Sequence, residues 1–214
     1  IMLTVYGRAT SSNVQSVMWC LAELGREADR IDLGEGFGGL DTPEFRAMNP
    51  SGMIPVLQDG DLTLFESAAI IRYLANTYGT PDFWPTDPGA RAKVDQWAEW
   101  AKQNVANKFT GPVFWRVVRT PAPLRDPDAI RAGVEHLSRS LRVAEDQLIK
   151  TQWLTGNTLT PGDIHLGHVL YRYYDIETDR PDLPVLRAYY DRLTQRQTYL
   201  DTVMISYDAL RDTL

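Results

Sequence analysis

The chain has one cysteine in 214 residues, Cys20, so it forms no internal disulfide. With a lone thiol and no Cys/His set at zinc spacing, nothing in it reads as a metal centre, and a reducing compartment fits. No run approaches the roughly 18 to 20 apolar residues needed to span a bilayer, and the first residues lack the basic start and apolar core of a secretory signal. Lys/Arg-rich runs are missing as well. The 22 basic against 28 acidic residues leave a formal charge of −6, which argues against a nucleic acid or an anionic membrane face as partner. There is no internal repeat and no low-complexity stretch. The expectation is a soluble, cytoplasmic protein that binds a small molecule or another protein. Apolar residues make up 43% of the chain, with six Trp and ten Tyr, enough to fill a sizeable core and to exclude global disorder.

The first eighty residues alternate strand and helix signals. Leu3 to Tyr6 reads as a strand ending at Gly7. Val14, Val17, Met18, Leu21 and Leu24 then recur at helical spacing up to Gly25, a C-terminal stop. Arg30 to Leu33 alternates as a second strand, and a Gly-rich loop, 34–39, leads to a short helix from Thr42 to Met48. Ile54 to Leu57 and Leu62 to Phe65 flank Asp59-Gly60, a hairpin signal. Ser67 to Tyr78 is helical again. This order, βαβαββα, is that of a small α/β unit with one mixed sheet. Gly79, Pro81, Pro85, Pro88 and Gly89 then punctuate a linker. Helical periodicity follows over 90–107, 128–150, 161–174 and 183–196, so the second part is all-helical. The division is therefore 1–79, a linker over 80–89, and 90–214.

Three segments carry candidate chemistry. Where the first helix begins, the chain reads Thr10-Ser11-Ser12-Asn13-Val14-Gln15. Ser12 with Gln15 fits a capping box and leaves Ser11 without a structural task. A helix start with unpaired N–H groups and a hydroxyl donor suits an anion or a thiolate, although plain capping explains the segment too. In Asn49-Pro50-Ser51-Gly52-Met53-Ile54-Pro55-Val56-Leu57, a proline stands just inside a strand. Either Ile54-Pro55 is cis, turning the Ile54 backbone outward toward an extended peptide, or it marks an edge-strand start. In Leu64-Phe65-Glu66-Ser67, an acid and a hydroxyl sit where strand gives way to helix. They serve as a cap, and could also hold a ligand carboxylate and ammonium.

Together these segments resemble the glutathione transferase family over nearly the whole chain. The resemblance implies a thioredoxin-like N-terminal domain, an all-α C-terminal domain and glutathione as co-substrate. Ser11 falls where serine-type members carry the hydroxyl that activates the glutathione sulfur, and Asn13 assists or orients it, as in certain bacterial members. Ile54 before a cis Pro55 would pair with the cysteinyl backbone, and Glu66 with Ser67 would hold the γ-glutamyl end. The implied reaction is attack of the thiolate on a hydrophobic electrophile in an apolar cleft, with Phe114 and Trp115 as candidates to touch it. Disulfide reduction at the same site, or a non-catalytic interaction protein on the same fold, are the alternatives. A homodimer is implied, without nucleic acid, membrane or metal.

The sequence departs from the family at three places. Met53 stands where many members have a basic residue, which leaves the contact to the glycine carboxylate unassigned. Ser16 replaces the arginine of the isomerase branch. Cys20 lies two turns into the helix, too far from its start to act on sulfur. Thr160-Pro161-Gly162-Asp163 forms a capping box with Leu159 and Ile164 as its hydrophobic staple, so Asp163 is assigned to structure. His165 and His168, three apart, lack a further ligand and read as packed or surface residues. Trp97 and Trp100 at helical spacing read as core.

Overall fold

The computed structural model describes residues 2–214. Strand β1 (Leu3–Tyr6) is the first inner strand of a four-stranded sheet of order β2-β1-β3-β4. It pairs in parallel with β2 (Ala28–Ile31) and antiparallel with β3 (Val56–Asp59), which carries β4 (Leu62–Phe65). The alternation read in the sequence is realised in β1, where Leu3 and Val5 face the core. Helices α1 (Ser12–Glu23) and α3 (Ser67–Tyr78) pack against each other, burying Val14, Val17, Ile70, Ile71 and Leu74. The short α2 (Pro43–Met48) is capped by Thr42, whose hydroxyl accepts from Phe45 N–H.

Two strands sit two residues away from their expected positions. In β3 the ladder starts at Val56, because Pro55 has no N–H to give it. In β2 pairing begins at Ala28, opposite Leu3. Beyond Ile31 only single bonds continue, such as Arg8 N–H to Leu33 O.

Helix α4 (Pro88–Ala101) does not stop near residue 107. It runs on through a π-wound turn (Lys102–Ala106), a short α5 (Asn107–Phe109) and a second π-wound stretch (Thr110–Arg119). Proline at position 112 ordinarily opposes a helix, because it removes a donor and its ring opposes the carbonyl four residues back. Wider π winding absorbs both effects and keeps the helix going. Helix α6 (Pro127–Leu148) packs along this composite rod. The expected helix over 161–174 is two, α7 (Pro161–Gly167) and α8 (Leu170–Asp175). Between them the Tyr199 hydroxyl takes the place of a helical bond, accepting from Tyr171 N–H at 3.2 Å and donating to the Gly167 carbonyl at 2.8 Å. Helices α9 (Pro184–Leu193) and α10 (Gln197–Thr202) complete the chain; the sequence carried no clear sign of α10. Among the described residues no helix is long and apolar enough to cross a membrane.

Candidate functional site

A cavity of about 290 Å³ opens where the β1–α1 loop meets the composite α4–α5 rod and the C-terminal segment. Its wall includes Ser11, Ser12, Asn13 and Ile54 from the sheet half, and Thr110, Trp115, Arg119, Arg172 and Leu210 from the helical half. The larger depression, about 1380 Å³, lies between α6 and residues 174–181 and contains none of the candidate residues.

Ser11, not Ser12, caps α1. Its Oγ accepts from Val14 N–H at 3.5 Å and its carbonyl takes Gln15 N–H at 2.9 Å. Ser12 is already helical, and the Gln15 amide donates instead to the Ala9 carbonyl at 2.9 Å, so the expected Ser12/Gln15 capping box does not form. The correction matters chemically. The cap uses a lone pair of Ser11 and leaves its O–H proton free to donate at the positive end of the helix.

Asn13 has a partner that sequence reasoning missed. Lys102, at the start of the first π turn, donates from Nζ to Asn13 Oδ1 at 2.6 Å and to Ser67 Oγ at 2.9 Å. An ammonium only donates, so it fixes the Asn13 carbonyl inward and leaves the amide NH₂ as a donor. Lys102 is buried, and burial brings its pKa from 10.5 down to about 8, against the opposing pull of Glu66 and Glu99. It thus joins the starts of α1 and α3 from a point 89 residues beyond Asn13, a separation at which no local pattern could signal it.

The Ile54-Pro55 peptide is cis, and Ile54 lies outside the β3 ladder on the cavity wall. Glu66 takes a left-handed φ of 70°, rare for a residue with a Cβ, and holds no side-chain cap bond on α3. The Ser67 side chain is buried, and the first N–H groups of α3 have no side-chain acceptor among the described caps. Phe114 does not reach the cavity. It is fully buried against Phe109 and Tyr207 with the Arg172 guanidinium over its ring. Trp115, by contrast, is half-open and lines it. Helical phase explains the split, since neighbouring residues on the π-wound stretch point in different directions and only one faces the cleft.

Cys20 is buried, and burial pushes its thiol well up, away from reactivity. His165 and His168 are buried in α7 and after it, where burial depresses both, His168 to about 3. No group of three His, Cys, Asp or Glu side chains fit to hold a metal occurs among the described residues. Trp97 and Trp100 pack edge-to-face on each other, away from the cavity.

Two family descriptions match this chain, "Glutathione S-transferase, N-terminal domain" over residues 2–76 and "Glutathione S-transferase, C-terminal domain" over residues 127–192. Glutathione S-transferase GstB of Escherichia coli (strain K12) is 35% identical over 206 residues, covering 95% of this chain and 99% of that protein. The chain belongs to the glutathione S-transferase family. Among solved members of that family, the theta class glutathione S-transferase from Xanthomonas axonopodis pv. citri with glutathione bound superposes with a TM-score of 0.90 at 42% identity, over 95% of this chain and 98% of that one. Its apo form gives 0.81 at 37% identity. The mixed sheet followed by a helical half described above is this glutathione S-transferase fold, and the cavity lies where its two halves meet.

Proposed function

We propose that the protein transfers the sulfur of glutathione to an electrophilic carbon, with Ser11 donating a hydrogen bond to the thiolate and the Asn13 amide orienting or assisting it. Glutathione is the co-substrate. The observation that carries this reading is the state of Ser11. It caps a twelve-residue helix through a lone pair, on the wall of the cavity, with its proton uncommitted.

The magnitudes suffice. A free thiol with a pKa of about 8.5 is only a few per cent thiolate at neutral pH, and the thiolate is the nucleophile. Lowering that pKa by about two units requires about 2.7 kcal/mol in favour of the anion. A hydrogen bond to a charged group contributes about 1.5 to 3 kcal/mol and a helix terminus about 0.3 to 1. The reaction needs no protein base. The thiol proton leaves to solvent, the sulfur lone pair forms the bond to carbon, and the leaving group departs with its electron pair.

The remaining assignments follow the same reading. Ile54, beside Pro55, pairs its backbone with the cysteinyl residue. Ser67 and the free N–H groups of α3 take the γ-glutamyl carboxylate, with Lys102 behind them and Glu66 accepting from the ammonium. Trp115 faces the electrophile; Phe114 supports it from the core. Residues 1–79 form the glutathione-binding domain and 90–214 the helical domain, joined by 80–89. The working protein is a cytoplasmic homodimer, which sedimentation at twice the 24.2 kDa chain mass would support and sedimentation as a monomer would refute.

Ser11→Ala tests the mechanism. Loss of about 1.5 to 3 kcal/mol predicts a one- to two-decade fall in kcat/KM with a chloroarene and a higher apparent thiol pKa in the pH–rate profile. An unchanged profile removes Ser11 from the mechanism.

A further inference from the structure

The cavity beside Ser11 carries charged groups on a wall that is otherwise largely apolar. Arg8, Arg119 and Arg172 all line it, opposed on its wall by one carboxylate, Glu35. Glu35 is 41% exposed and accepts from Arg119 Nη2 at 3.0 Å, while Arg119 Nε donates to Thr213 Oγ1 at 2.9 Å. Arg8 donates from Nη1 to Thr10 Oγ1 at 2.8 Å, and its buried Nε has no partner. Arg172 is the most unusual of the three. It is 2% exposed and pairs with no carboxylate. Its Nη2 donates to the Thr10 carbonyl at 2.7 Å, its plane lies over Phe114 and Tyr207, and its Nε is buried and unpaired.

Burying a guanidinium without a carboxylate is costly, and placing two more cations beside it adds repulsion. Burial first, and then Arg8 and Arg119, hold Arg172 down to about 10. Gripping the Ser11 loop accounts for the bonds to Thr10, but not for three cations around one cavity. A glutathione thiolate and Glu35 together neutralise two of the three charges. With the glycine carboxylate held elsewhere, one positive charge remains on the wall of a space at the small end of the ligand-site range of about 300 to 1000 Å³.

From this we infer that the electrophile is a small organic acid, whose carboxylate or equivalent oxyanion is held by Arg8, Arg119 and Arg172 while its reactive carbon faces the sulfur at Ser11. This rests on the glutathione-transfer reading and narrows its substrate class. For a chloro acid, the sulfur lone pair forms the C–S bond at the carbon bearing chlorine and chloride leaves with the C–Cl pair. The acid group keeps its charge throughout, so the arginines orient and do not react.

The test uses two isosteres that differ only in charge, dinitrobenzoate and dinitrobenzamide, titrated calorimetrically into protein saturated with S-methylglutathione, which cannot react. The acid is expected to bind at least about tenfold more tightly than the amide, the worth of one charge-assisted hydrogen bond. Arg119→Gln and Arg172→Met are each expected to bring the ratio near one. Arg119→Gln keeps the test decisive if Arg172→Met does not fold. The chlorodinitro forms of the same pair are expected to show the same order in kcat/KM with glutathione, after division by their uncatalysed rates.

Equal binding of acid and amide in a protein that does bind S-methylglutathione would overturn the inference and leave the transferase reading standing. So would variants that weaken S-methylglutathione and not the acid, since the arginines would then serve the glycine carboxylate. A ratio untouched by both substitutions overturns it as well. Absence of any S-methylglutathione or glutathione binding would instead remove the transferase reading itself, and the inference with it.

Discussion

At the residue scale, the site depends on which atoms are already committed. Ser11 spends a lone pair and keeps its proton; Asn13 spends its carbonyl on Lys102 and keeps its NH₂. Lys102 is the residue whose charge state pH can change near neutrality. Its folded pKa of about 8 lies below the unfolded value near 10.5, so between these values the unfolded chain binds more protons. Its contribution to stability therefore rises with pH across that window, and the full cost of burying the charge stands below it. Relative to Lys102→Met, the wild type should gain about 1 to 2 kcal/mol of unfolding free energy between about pH 7 and pH 9.5, read by urea titration. A difference that stays flat with pH would mean that Lys102 is not the titrating group. S-Methylglutathione affinity should fall above about pH 8 more steeply in the wild type than in the variant, because the neutral amine no longer favours a carboxylate at Ser67 while loss of the ligand's own ammonium proton is common to both.

At the element scale, α7 shows how a local signal and a tertiary one coincide. All seven of its residues are buried. Its capping box, expected from Thr160 to Asp163, is present, with Thr160 N–H donating to Asp163 Oδ2 at 3.0 Å. Asp163 also accepts from Leu154 N–H at 2.9 Å and from Tyr189 O–H at 2.8 Å, partners that belong to other elements. Burial pushes this carboxyl up to about 6, although all three donors favour its charged form. Asp163→Ala would leave three buried donors unpaired and should cost about 3 to 5 kcal/mol in urea unfolding. The folded fraction should keep its glutathione affinity. A loss under about 1 kcal/mol would show that water or a neighbour satisfies these donors. The π-wound stretch makes the complementary case. Pro112 is a helix breaker by its chemistry, yet the rod continues through it and presents Thr110, Trp115 and Arg119 to the cavity.

At the scale of the whole molecule, a few polar links hold the two halves at the spacing the site needs. Lys102 reaches Asn13 and Ser67, Arg172 reaches the Thr10 carbonyl, and Arg119 reaches Glu35. On the far end of α1, the buried Glu23 side chain accepts from Trp19 Nε1 at 3.0 Å, from Arg196 Nε at 2.8 Å and from the Thr198 hydroxyl. Burial raises the Glu23 pKa, but the bonds from Arg196 and Thr198, the Arg196 charge and the Trp19 bond outweigh it, and the net shift is downward. With the folded pKa depressed, the stabilisation is present above the unfolded pKa of about 4.5 and is lost as pH falls through the folded value. Glu23→Gln should therefore flatten the fall in Tm between about pH 6 and pH 3. An equally steep fall in the variant would place the acid sensitivity elsewhere. Close packing backs these links. A Cβ on Gly167 would come within 2.8 Å of Leu193 and 2.9 Å of Trp19, so α1 and α7 approach at a point where only hydrogen fits.

The division of labour between chain and fold follows from the range of the forces involved. Periodicity, capping and turn chemistry act within a few residues. They were enough to order β1 through α3 and to place Ser67 at a helix start, and to mark the Thr160 cap and the end of α3 before Gly79. The same short range misled where a neighbour in space decides. The donor-less Pro55 and the pairing of Leu3 with Ala28 moved two strands, π winding carried the rod past Pro112, and the Tyr199 hydroxyl split one expected helix. Ser11 was singled out by leaving Ser12 to cap, yet its real state as the cap with a spare proton needed coordinates. Lys102, Arg119 and Arg172 are single cations in helical sequence, with no pattern to set them apart. Only folding, which removes water and brings Lys102 to Asn13 and Ser67, Arg172 to Thr10 and Arg119 to Glu35, turns them into a site, because burial is what gives a charge its leverage.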